Sequence, residues 1–499
     1  MNNNIKIIIN RNTHMHTVSP ALYSHFVEHI GGCIYDGIWV GEDSEIPNMN
    51  GIRIDTVEAL KKLEIPVIRW PGGLFADNYH WMEGIGPREK RPVRYNLGWN
   101  MLENNHFGTD EFMRFCEMIG AEPYLCCNMG TGTVEEARSW AEYCNCDKPT
   151  SLVKMRMENG HPEPYNVKYW GVGNEPYYCL DGMMTTKMYA DVYRRYSGYI
   201  KRFASQDTYQ RGPVFESTKL IAGIADEEFL EIISNEYVDL IAAHCYFDSG
   251  PVDPQCPEKS YNKLMAGLED MDTELNRCCS LAEKYSTDNH RIEVALDEWG
   301  TWHWSQATPL NAMLQDYNLQ DALFAAAAFH IMHKYEKLHM ANIAQTINVL
   351  QALVHTRGKD MVLTPTYYVY DMLKPHKGNK VLDFKTEGIP SILLEENKKS
   401  KAVSISATIS NNNMELFVSI VNIDASNEYK CNITLSNSEG WELYKQKRLW
   451  SSCISDGNSF DKPHAVVPED ITKDEEVQEQ ILLKPHSLTT LKYRKVATP

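Results

Sequence analysis

The sequence contains no run of the about 20 apolar residues that a membrane-spanning helix requires. Its first apolar run, Ile5–Ile9, includes Lys6 and is followed by Asn10 and Arg11, so it is too short for the apolar part of a secretory signal. Positive charge is also scarce, and the formal net charge is −18 at pH 7. Because phosphate binding requires clustered Lys and Arg, we predict neither a membrane nor a nucleic-acid partner.

Metal-binding spacings are also missing. The thirteen cysteines include the adjacent pairs Cys126–Cys127 and Cys278–Cys279 but form no CxxC…CxxC pattern. The chain has no HExxH motif and no clustered Asp and His residues. We therefore predict a protein with no metal and no cofactor, whose thiols stay free in a reducing cytoplasm.

From residue 20 to about residue 375, short apolar runs alternate with longer amphipathic stretches. Such alternation predicts parallel β/α units, and about eight of them favour a closed (β/α)8 TIM barrel, an α/β fold. The predicted strands are Val67–Arg69, Pro123–Asn128, Tyr169–Gly173, Lys219–Ile224, Leu240–His244 and Glu293–Asp297. The predicted helices are Thr56–Leu63, Thr133–Tyr143, Thr186–Ala204, Lys263–Tyr285 and Asp316–Lys337.

After Lys374 the long helical periods stop, and short runs rich in β-branched residues follow. This texture predicts a C-terminal antiparallel β-sandwich domain built from residues 376–499, with residues 1–19 supplying one further strand. The polar segment Ser451–Glu476 is predicted to be a long surface loop. The predicted strands are Val403–Ile409, Met414–Ile423, Tyr429–Leu435, Gln480–Leu483 and Thr489–Tyr493.

Two of the predicted barrel strands end in a glutamate. Tyr169–Val172 leads into Gly173-Asn174-Glu175-Pro176, and Ile292–Leu296 leads into Asp297-Glu298-Trp299. The C-terminal ends of barrel strands carry the active site, and these two strands are expected to be the fourth and the seventh. Two carboxyl groups about 5–5.5 Å apart are what a retaining glycosidase requires. Trp299 and Trp302 are expected to stack on a sugar.

The neighbours of the two glutamates predict different roles for them. Asn174 is expected to bind a sugar hydroxyl beside Glu175, which makes Glu175 the acid/base. Tyr246, at the end of the sixth strand, would lie next to the seventh, where its hydroxyl would favour the ionised form of Glu298. Glu298 is therefore the predicted nucleophile.

These residues resemble glycoside hydrolase family 51, the α-L-arabinofuranosidases. The resemblance extends through most of the barrel and includes the regions Tyr23–Gly31, Arg69–Gly73, Tyr79–Trp81, Gly84–Pro87, Asn105–Phe112, Asn128–Gly132 and Asn348–Ala352. It implies that Glu28 and Gln351 bind the glycone, the sugar that the enzyme releases. It also implies that Trp99 and Trp302 shape the entrance for the leaving group.

The resemblance also implies a retaining, metal-free exo-acting enzyme that is often hexameric and acts on arabinoxylan or arabinan oligosaccharides. One position departs from the family pattern. Where the family usually places a small polar residue or cysteine that touches the sugar, this chain has Leu74. Leu74 can neither donate nor accept a hydrogen bond, a difference of about 0.5–1.5 kcal/mol at a facing hydroxyl.

Three alternatives stay open at this point. A β-xylosidase, or an endo-glucanase or xylanase, would use the same two carboxylates, because pocket depth rather than the catalytic pair separates these activities. A carbohydrate-binding protein without catalytic activity is a second alternative, although such proteins usually lack one carboxylate. A metal-dependent hydrolase is the third, and the missing metal motifs disfavour it.

Overall fold

A long first strand, β1 (Asn4–Thr17), precedes eight parallel strands that close into a barrel. The computed structural model describes residues 4–177, 183–203, 218–233, 238–251, 256–436, 440–472 and 480–496. Around the barrel each strand pairs with its sequence neighbours, and the last strand pairs with the first. The barrel strands are β2 (Ser24–Phe26), β3 (Val67–Trp70), β4 (Glu122–Cys127), β5 (Tyr169–Val172), β6 (Lys219–Ala222), β7 (Leu240–Phe247), β8 (Glu293–Thr301) and β9 (Leu338–Ile343).

These strands are near-continuous apolar runs because both of their faces are covered: the helices pack outside and the barrel core fills the inside. The predicted (β/α)8 barrel is confirmed, with Glu175 shortly after its fourth strand and Glu298 in its seventh. The described helices are α1 (Ile54–Leu63), α2 (Thr109–Ile119), α3 (Val134–Asn145), α4 (Ser151–Glu158), α5 (Thr186–Phe203), α6 (Glu227–Ile232), α7 (Pro257–Tyr285), α8 (Leu319–Met332) and α9 (Pro365–Leu373).

Helix α8 is buried along its whole length. It is apolar on all sides because it lies between the barrel and the C-terminal strands rather than on the surface. At its C-terminal end, His330 and the capping residue His333 are hydrogen-bonded to serines of the C-terminal sheet. The two parts of the chain are thus joined through a buried interface that contains polar groups.

The C-terminal strands form a nine-stranded, mostly antiparallel sheet together with β1. β1 pairs antiparallel with β10 (Lys380–Glu387) and parallel with β13 (Tyr429–Leu435), and its isoleucines enter the core of this sheet. The antiparallel C-terminal domain is confirmed, whereas its division from the barrel at residues 19/20 and 375/376 stays a prediction. The strands are β10 (Lys380–Glu387), β11 (Val403–Ile409), β12 (Glu415–Asn422), β13 (Tyr429–Leu435), β14 (Trp441–Leu449), β15 (Glu469–Asp470), β16 (Ile481–Leu483) and β17 (Ser487–Lys495).

Among the described residues, four short hairpins lie outside the two main sheets. They pair Asn48–Met49 with Ile52–Arg53, Arg94–Asn96 with Met101–Glu103, Val354–Arg357 with Asp360–Leu363, and Ser391–Glu395 with Lys398–Lys401. In the described residues no helix is both long enough and apolar enough to cross a membrane. Every cysteine in the described part of the chain is a free thiol.

The segment Ser451–Glu476, predicted as a surface loop, is partly buried against the rest of the protein. Ile454 and Val466 are buried in the same apolar core as the barrel residues, and the Leu319 backbone N–H donates to Asp456 O. The segment therefore packs against the start of α8. Its polar composition gave no indication of this packing. Residues 473–476 of it lie outside the described residues.

Candidate active site

The two strand-end glutamates lie at the C-terminal mouth of the barrel. β5 ends at Val172, and the chain then turns through Gly173 (φ 82°) to Glu175, which itself has a positive φ of 37°. A left-handed backbone is uncommon for a residue with a side chain. Glu298 lies within β8 and is buried. One glutamate is thus carried on a turn and the other on a rigid strand.

A register shift between β7 and β8 decides what faces Glu298. Ala243 pairs with Leu296, but the next residue, His244, pairs with Glu298, so one extra residue is accommodated in β8. Irregularities of this kind re-aim side chains at the rim of a barrel. Here the shift places His244 directly across from Glu298.

His244 lies between the two glutamates. Its Nδ1 is 2.7 Å from Glu175 Oε1 and 3.6 Å from Glu298 Oε2. One oxygen of Glu175 and one of Glu298 lie within 4.8 Å of each other. Although burial disfavours its charged form, the charges of Glu298 and Glu175 raise the pKa of His244 to about 9. The cluster therefore holds a proton between its carboxylates at neutral pH.

A buried arginine fixes the position of Glu298. Arg69, in β3, donates from Nη1 to Glu298 Oε1 at 2.7 Å and from Nη2 to Asn174 Oδ1 at 2.6 Å. Its Nε lies 3.3 Å from Asp297 Oδ2. Because Asn174 accepts with its oxygen, its amide nitrogen is turned towards Gly73 and is available as a donor.

Tyr246 contacts Glu298 from the other side. Its hydroxyl donates to Glu298 Oε2 at 2.6 Å. Burial alone would raise the pKa of Glu298, but the charges of His244 and Arg69 and the Tyr246 hydrogen bond hold it below its ordinary value. Glu298 is therefore a carboxylate at neutral pH.

Glu28, just after β2, is a third buried carboxyl group. Its Oε1 accepts hydrogen bonds from Phe75 N at 3.0 Å and from Trp99 Nε1 at 2.9 Å, and its Oε2 accepts from Gln345 Nε2 at 2.9 Å. Burial and the nearby charge of Glu298 raise the pKa of Glu28 to about 7, despite these donors. Its charge thus changes close to neutral pH.

The loop after β3 packs directly on these carboxyl groups. A Cβ on Gly72 would lie 2.6 Å from Glu28 Cγ, and a Cβ on Gly73 would lie 2.7 Å from Glu298 Oε1. Any larger residue at either position would displace a carboxyl group. Leu74, the next residue, is half-buried at this loop.

Comparisons with known proteins agree with this geometry. The model described as Alpha-L-arabinofuranosidase 1 domain matches residues 59–261, and that described as Alpha-L-arabinofuranosidase C-terminal domain matches residues 297–487. An intracellular exo-alpha-L-arabinofuranosidase of Bacteroides ovatus is 38% identical over 90% of this chain and 88% of its own length. A GH51 arabinofuranosidase structure from Xanthomonas axonopodis pv. citri has a TM-score of 0.89 at 32% identity, covering 98% of this chain and 100% of that one.

The chain belongs to the family 51 α-L-arabinofuranosidases. It is a glycoside hydrolase, and its substrate is a carbohydrate. An alpha-L-arabinofuranosidase structure from Thermotoga maritima, described as an arabinose complex, matches 98% of this chain and 99% of its own with a TM-score of 0.84 at 32% identity.

In this arabinofuranosidase the Gln351 side chain is bonded to groups other than the two glutamates, and its contact with sugar stays a prediction. Its Oε1 accepts from Thr301 N at 2.8 Å, and its Nε2 donates to Asp321 O at 2.7 Å and Thr366 Oγ1 at 3.3 Å. Its amide is thus committed to the protein interior. Gln345 contacts Glu28 instead, and its Oε1 has no hydrogen-bond partner among the described residues.

The tryptophans divide between core and mouth. Trp299, expected to stack on sugar, is fully buried with its ring edge-on to Phe329 at 5.7 Å, so that expectation is wrong. Trp302 is half-buried and lies 5.4 Å from the Tyr246 ring in a T-shaped contact. Trp99 donates from Nε1 to Glu28 Oε1, and its place at the leaving-group entrance stays a prediction.

Sequence reasoning did not single out Arg69, His244 or Gln345. A signal was available for each of them, since Arg69 and His244 lie in barrel strands and Gln345 follows β9 by two residues. Polar residues at the C-terminal ends of barrel strands are candidates for function. Gln351 is six residues further along, in the loop that follows β9.

The described residues include one group of metal-donor atoms, contributed by Glu175, His244 and Glu298. His244 holds a proton there because its pKa is raised to about 9, and Arg69 already donates to Glu298. The positive charge that balances these carboxylates is thus supplied by the protein. The absence of a metal and of a cofactor stays a prediction.

Proposed function

We propose that the enzyme hydrolyses terminal α-L-arabinofuranosyl residues by double displacement, with Glu298 as nucleophile and Glu175 as acid/base. The observation that carries this proposal is the pairing of the two carboxyl groups, whose nearest oxygens lie within 4.8 Å. That spacing suits a retaining mechanism, because an inverting enzyme needs room for a water between its carboxyl groups. Net retention of configuration follows from two successive inversions.

In the first step, a Glu298 oxygen forms a bond to the anomeric carbon while the glycosidic C–O bond breaks. The proton that His244 Nδ1 holds 2.7 Å from Glu175 Oε1 passes to that oxygen, and Glu175 gives it to the leaving oxygen. Arg69 and Tyr246 hold Glu298 ionised and aimed. The products are a glycosyl ester on Glu298 and a free leaving-group alcohol.

In the second step, water attacks the same carbon and the ester bond breaks. Glu298 is neutral while esterified, so the carboxylate left on Glu175 after the first step faces one negative charge fewer. Glu175 then takes a proton from the water as its oxygen bonds to carbon. Glu298 leaves as a carboxylate, which its surroundings already favour.

For sugar recognition we propose Glu28, Asn174 and Gln345 as the polar ligands, with Trp99 beside them. Two atoms support this, because among the described residues neither has a hydrogen-bond partner: the amide nitrogen of Asn174 is a donor and Oε1 of Gln345 is an acceptor that sugar hydroxyls can use. Leu74 supplies only an apolar contact. Sugar hydroxyls can donate to Glu28 when it is ionised.

We further propose exo action on arabinoxylan or arabinan oligosaccharides, a cytoplasmic location and a homo-oligomer, with a hexamer expected from the family resemblance. The name of the Bacteroides ovatus relative, an intracellular exo-enzyme, supports the first two. A β-xylosidase or an endo-glucanase or xylanase would share the carboxylate pair. A non-catalytic sugar-binding protein would need neither a buried carboxylate held by Arg69 and Tyr246 nor a second one bonded to His244.

The test is hydrolysis of nitrophenyl glycosides followed by azide rescue. We expect the α-L-arabinofuranoside to be cleaved much faster than the β-xyloside, and the reverse order would overturn the substrate claim. Glu298→Ala with azide should form the arabinofuranosyl azide of inverted configuration, and Glu175→Ala the azide of retained configuration. Exchanged products would reverse the two roles. Glu336→Ala, which removes an exposed carboxylate remote from the mouth, is the matched control.

A further inference from the structure

A chain of aromatic contacts leads outward from Glu298. Tyr246 donates to Glu298 and meets Trp302 at 5.4 Å, and Trp302 in turn stacks on Trp304 with ring centroids 4.4 Å apart and planes 18° apart. Trp304 is 57% exposed although it is a large apolar side chain. One face of its ring is covered by Trp302, which leaves the other available for a ligand.

This exposed tryptophan borders a cavity of about 360 Å³ that also includes Tyr246 in its wall. The cavity is therefore continuous with the residue that contacts the proposed nucleophile. Its volume lies at the lower end of the range for small-molecule sites. Part of the far wall comes from outside the barrel, from Glu395 and Lys398 of the hairpin inserted in the C-terminal domain.

The lining also includes two pairs of oppositely charged side chains. Lys263 Nζ lies 3.3 Å from Asp248 Oδ2, and Lys398 Nζ lies 2.9 Å from Asp270 Oδ2. Both pairs are partly solvent-exposed, so their unused donor and acceptor positions face the cavity and water. An exposed indole face beside paired charges suits a sugar, whose C–H face packs on a ring while its hydroxyls bond at the edge.

We propose that this cavity binds the leaving-group chain of an oligosaccharide beyond the sugar next to the scissile bond. Trp304 supplies the stacking surface, and Lys398 makes the C-terminal domain part of the substrate-binding site. The preferred substrate is then an oligosaccharide with several sugars on the leaving-group side. This inference rests on the proposed function, because it requires cleavage at the Glu175–Glu298 pair.

The test compares linear α-1,5-arabinotetraose with arabinobiose, whose leaving groups are three sugars and one sugar long. The readout is the ratio of kcat/KM on the long substrate to that on the short one. We expect wild type to favour the tetraose, and Trp304→Ala to lower the ratio about tenfold, as for loss of a stacked ring. Lys398→Met should lower the same ratio.

Leu310→Ala is the control for Trp304→Ala, since Leu310 is 93% exposed and does not line the cavity. Lys359→Met, which breaks a surface pair with Glu45, is the control for Lys398→Met. A wild-type ratio near one, or an unchanged ratio in both cavity variants, overturns the inference. The proposed function fails separately, through lack of turnover of nitrophenyl α-L-arabinofuranoside by the wild-type enzyme.

Discussion

The Tyr246 hydroxyl donates a 2.6 Å hydrogen bond to Glu298 Oε2. Tyr246→Phe removes this bond and keeps the ring. Because a hydrogen bond to a charged group contributes about 1.5–3 kcal/mol, kcat/KM should fall roughly 10- to 100-fold. The pKa of Glu298 should rise, which moves the acidic limb of the kcat/KM profile to higher pH. Tyr169→Phe, which breaks a hydrogen bond to His339 at the opposite end of the barrel, should move neither. An unshifted limb in Tyr246→Phe would contradict this account.

Glu28 should make substrate binding depend on pH near neutrality. Its pKa is raised to about 7, so it is increasingly protonated below that pH and loses its charge as an acceptor. We expect KM for nitrophenyl α-L-arabinofuranoside to rise as the pH falls from 8 to 6. Glu28→Gln should have a high KM throughout this range. Persistence of the same pH-dependent KM in Glu28→Gln would show that another group titrates there.

Gln345 and Gln351 offer a matched pair of variants. Gln345→Ala removes a ligand of Glu28 at the mouth, so KM should rise while the melting temperature changes little. Gln351→Ala leaves Thr301 N and Asp321 O without their partner, so the melting temperature should fall while KM stays near that of wild type. The opposite assignment of the two effects would support Gln351 as the sugar ligand.

A buried histidine group should make the domain interface sensitive to acid. His330, on α8, bonds to Ser404 and Ser419, and His376 bonds to Thr408 and Ser419. Burial lowers the pKa of both His330 and His376 to about 3.

The unfolded chain takes up protons near pH 6.5 and the folded chain does not, so the stability present above pH 6.5 is lost as the pH falls towards 3. Each such histidine contributes a slope of about 1.4 kcal/mol per pH unit below 6.5. Urea unfolding between pH 7 and 5 measures it. His376→Asn should reduce the slope, and His464→Gln, at an exposed position, should not. Equal slopes in all three proteins would contradict the assignment.

Chelation should leave activity unchanged. His244 and Arg69 balance the charge of the two glutamates, so no divalent cation is required at the mouth. Turnover of nitrophenyl α-L-arabinofuranoside after prolonged EDTA treatment and gel filtration is the measurement. Loss of activity that added Mg²⁺, Mn²⁺ or Zn²⁺ restores would assign the Glu175–His244–Glu298 donors to a metal.

Much of the fold could be read directly from local patterns. Strands such as Val403–Ile409 and Tyr429–Leu435 have the predicted bounds because alternating β-branched residues and flanking turn residues coincide there. β10 and β14 were not predicted, because Lys, Asp, Glu and Gln interrupt their apolar pattern. Their strand state depends on pairing with neighbours that are distant in sequence.

The sequence by itself determined that one glutamate follows the fourth strand of a barrel and another lies towards the C-terminal end of the seventh, because strand periodicity is a local property. It also indicated Tyr246 as the neighbour of Glu298, since successive barrel strands lie side by side. Only the tertiary structure decided which further groups meet there. Arg69 donates to both Glu298 and Asn174 from β3. The register shift between β7 and β8 places the His244 imidazole between the two carboxylates. Such contacts depend on closure of the barrel and on one-residue offsets between strands, and neither is encoded in any single segment of the chain.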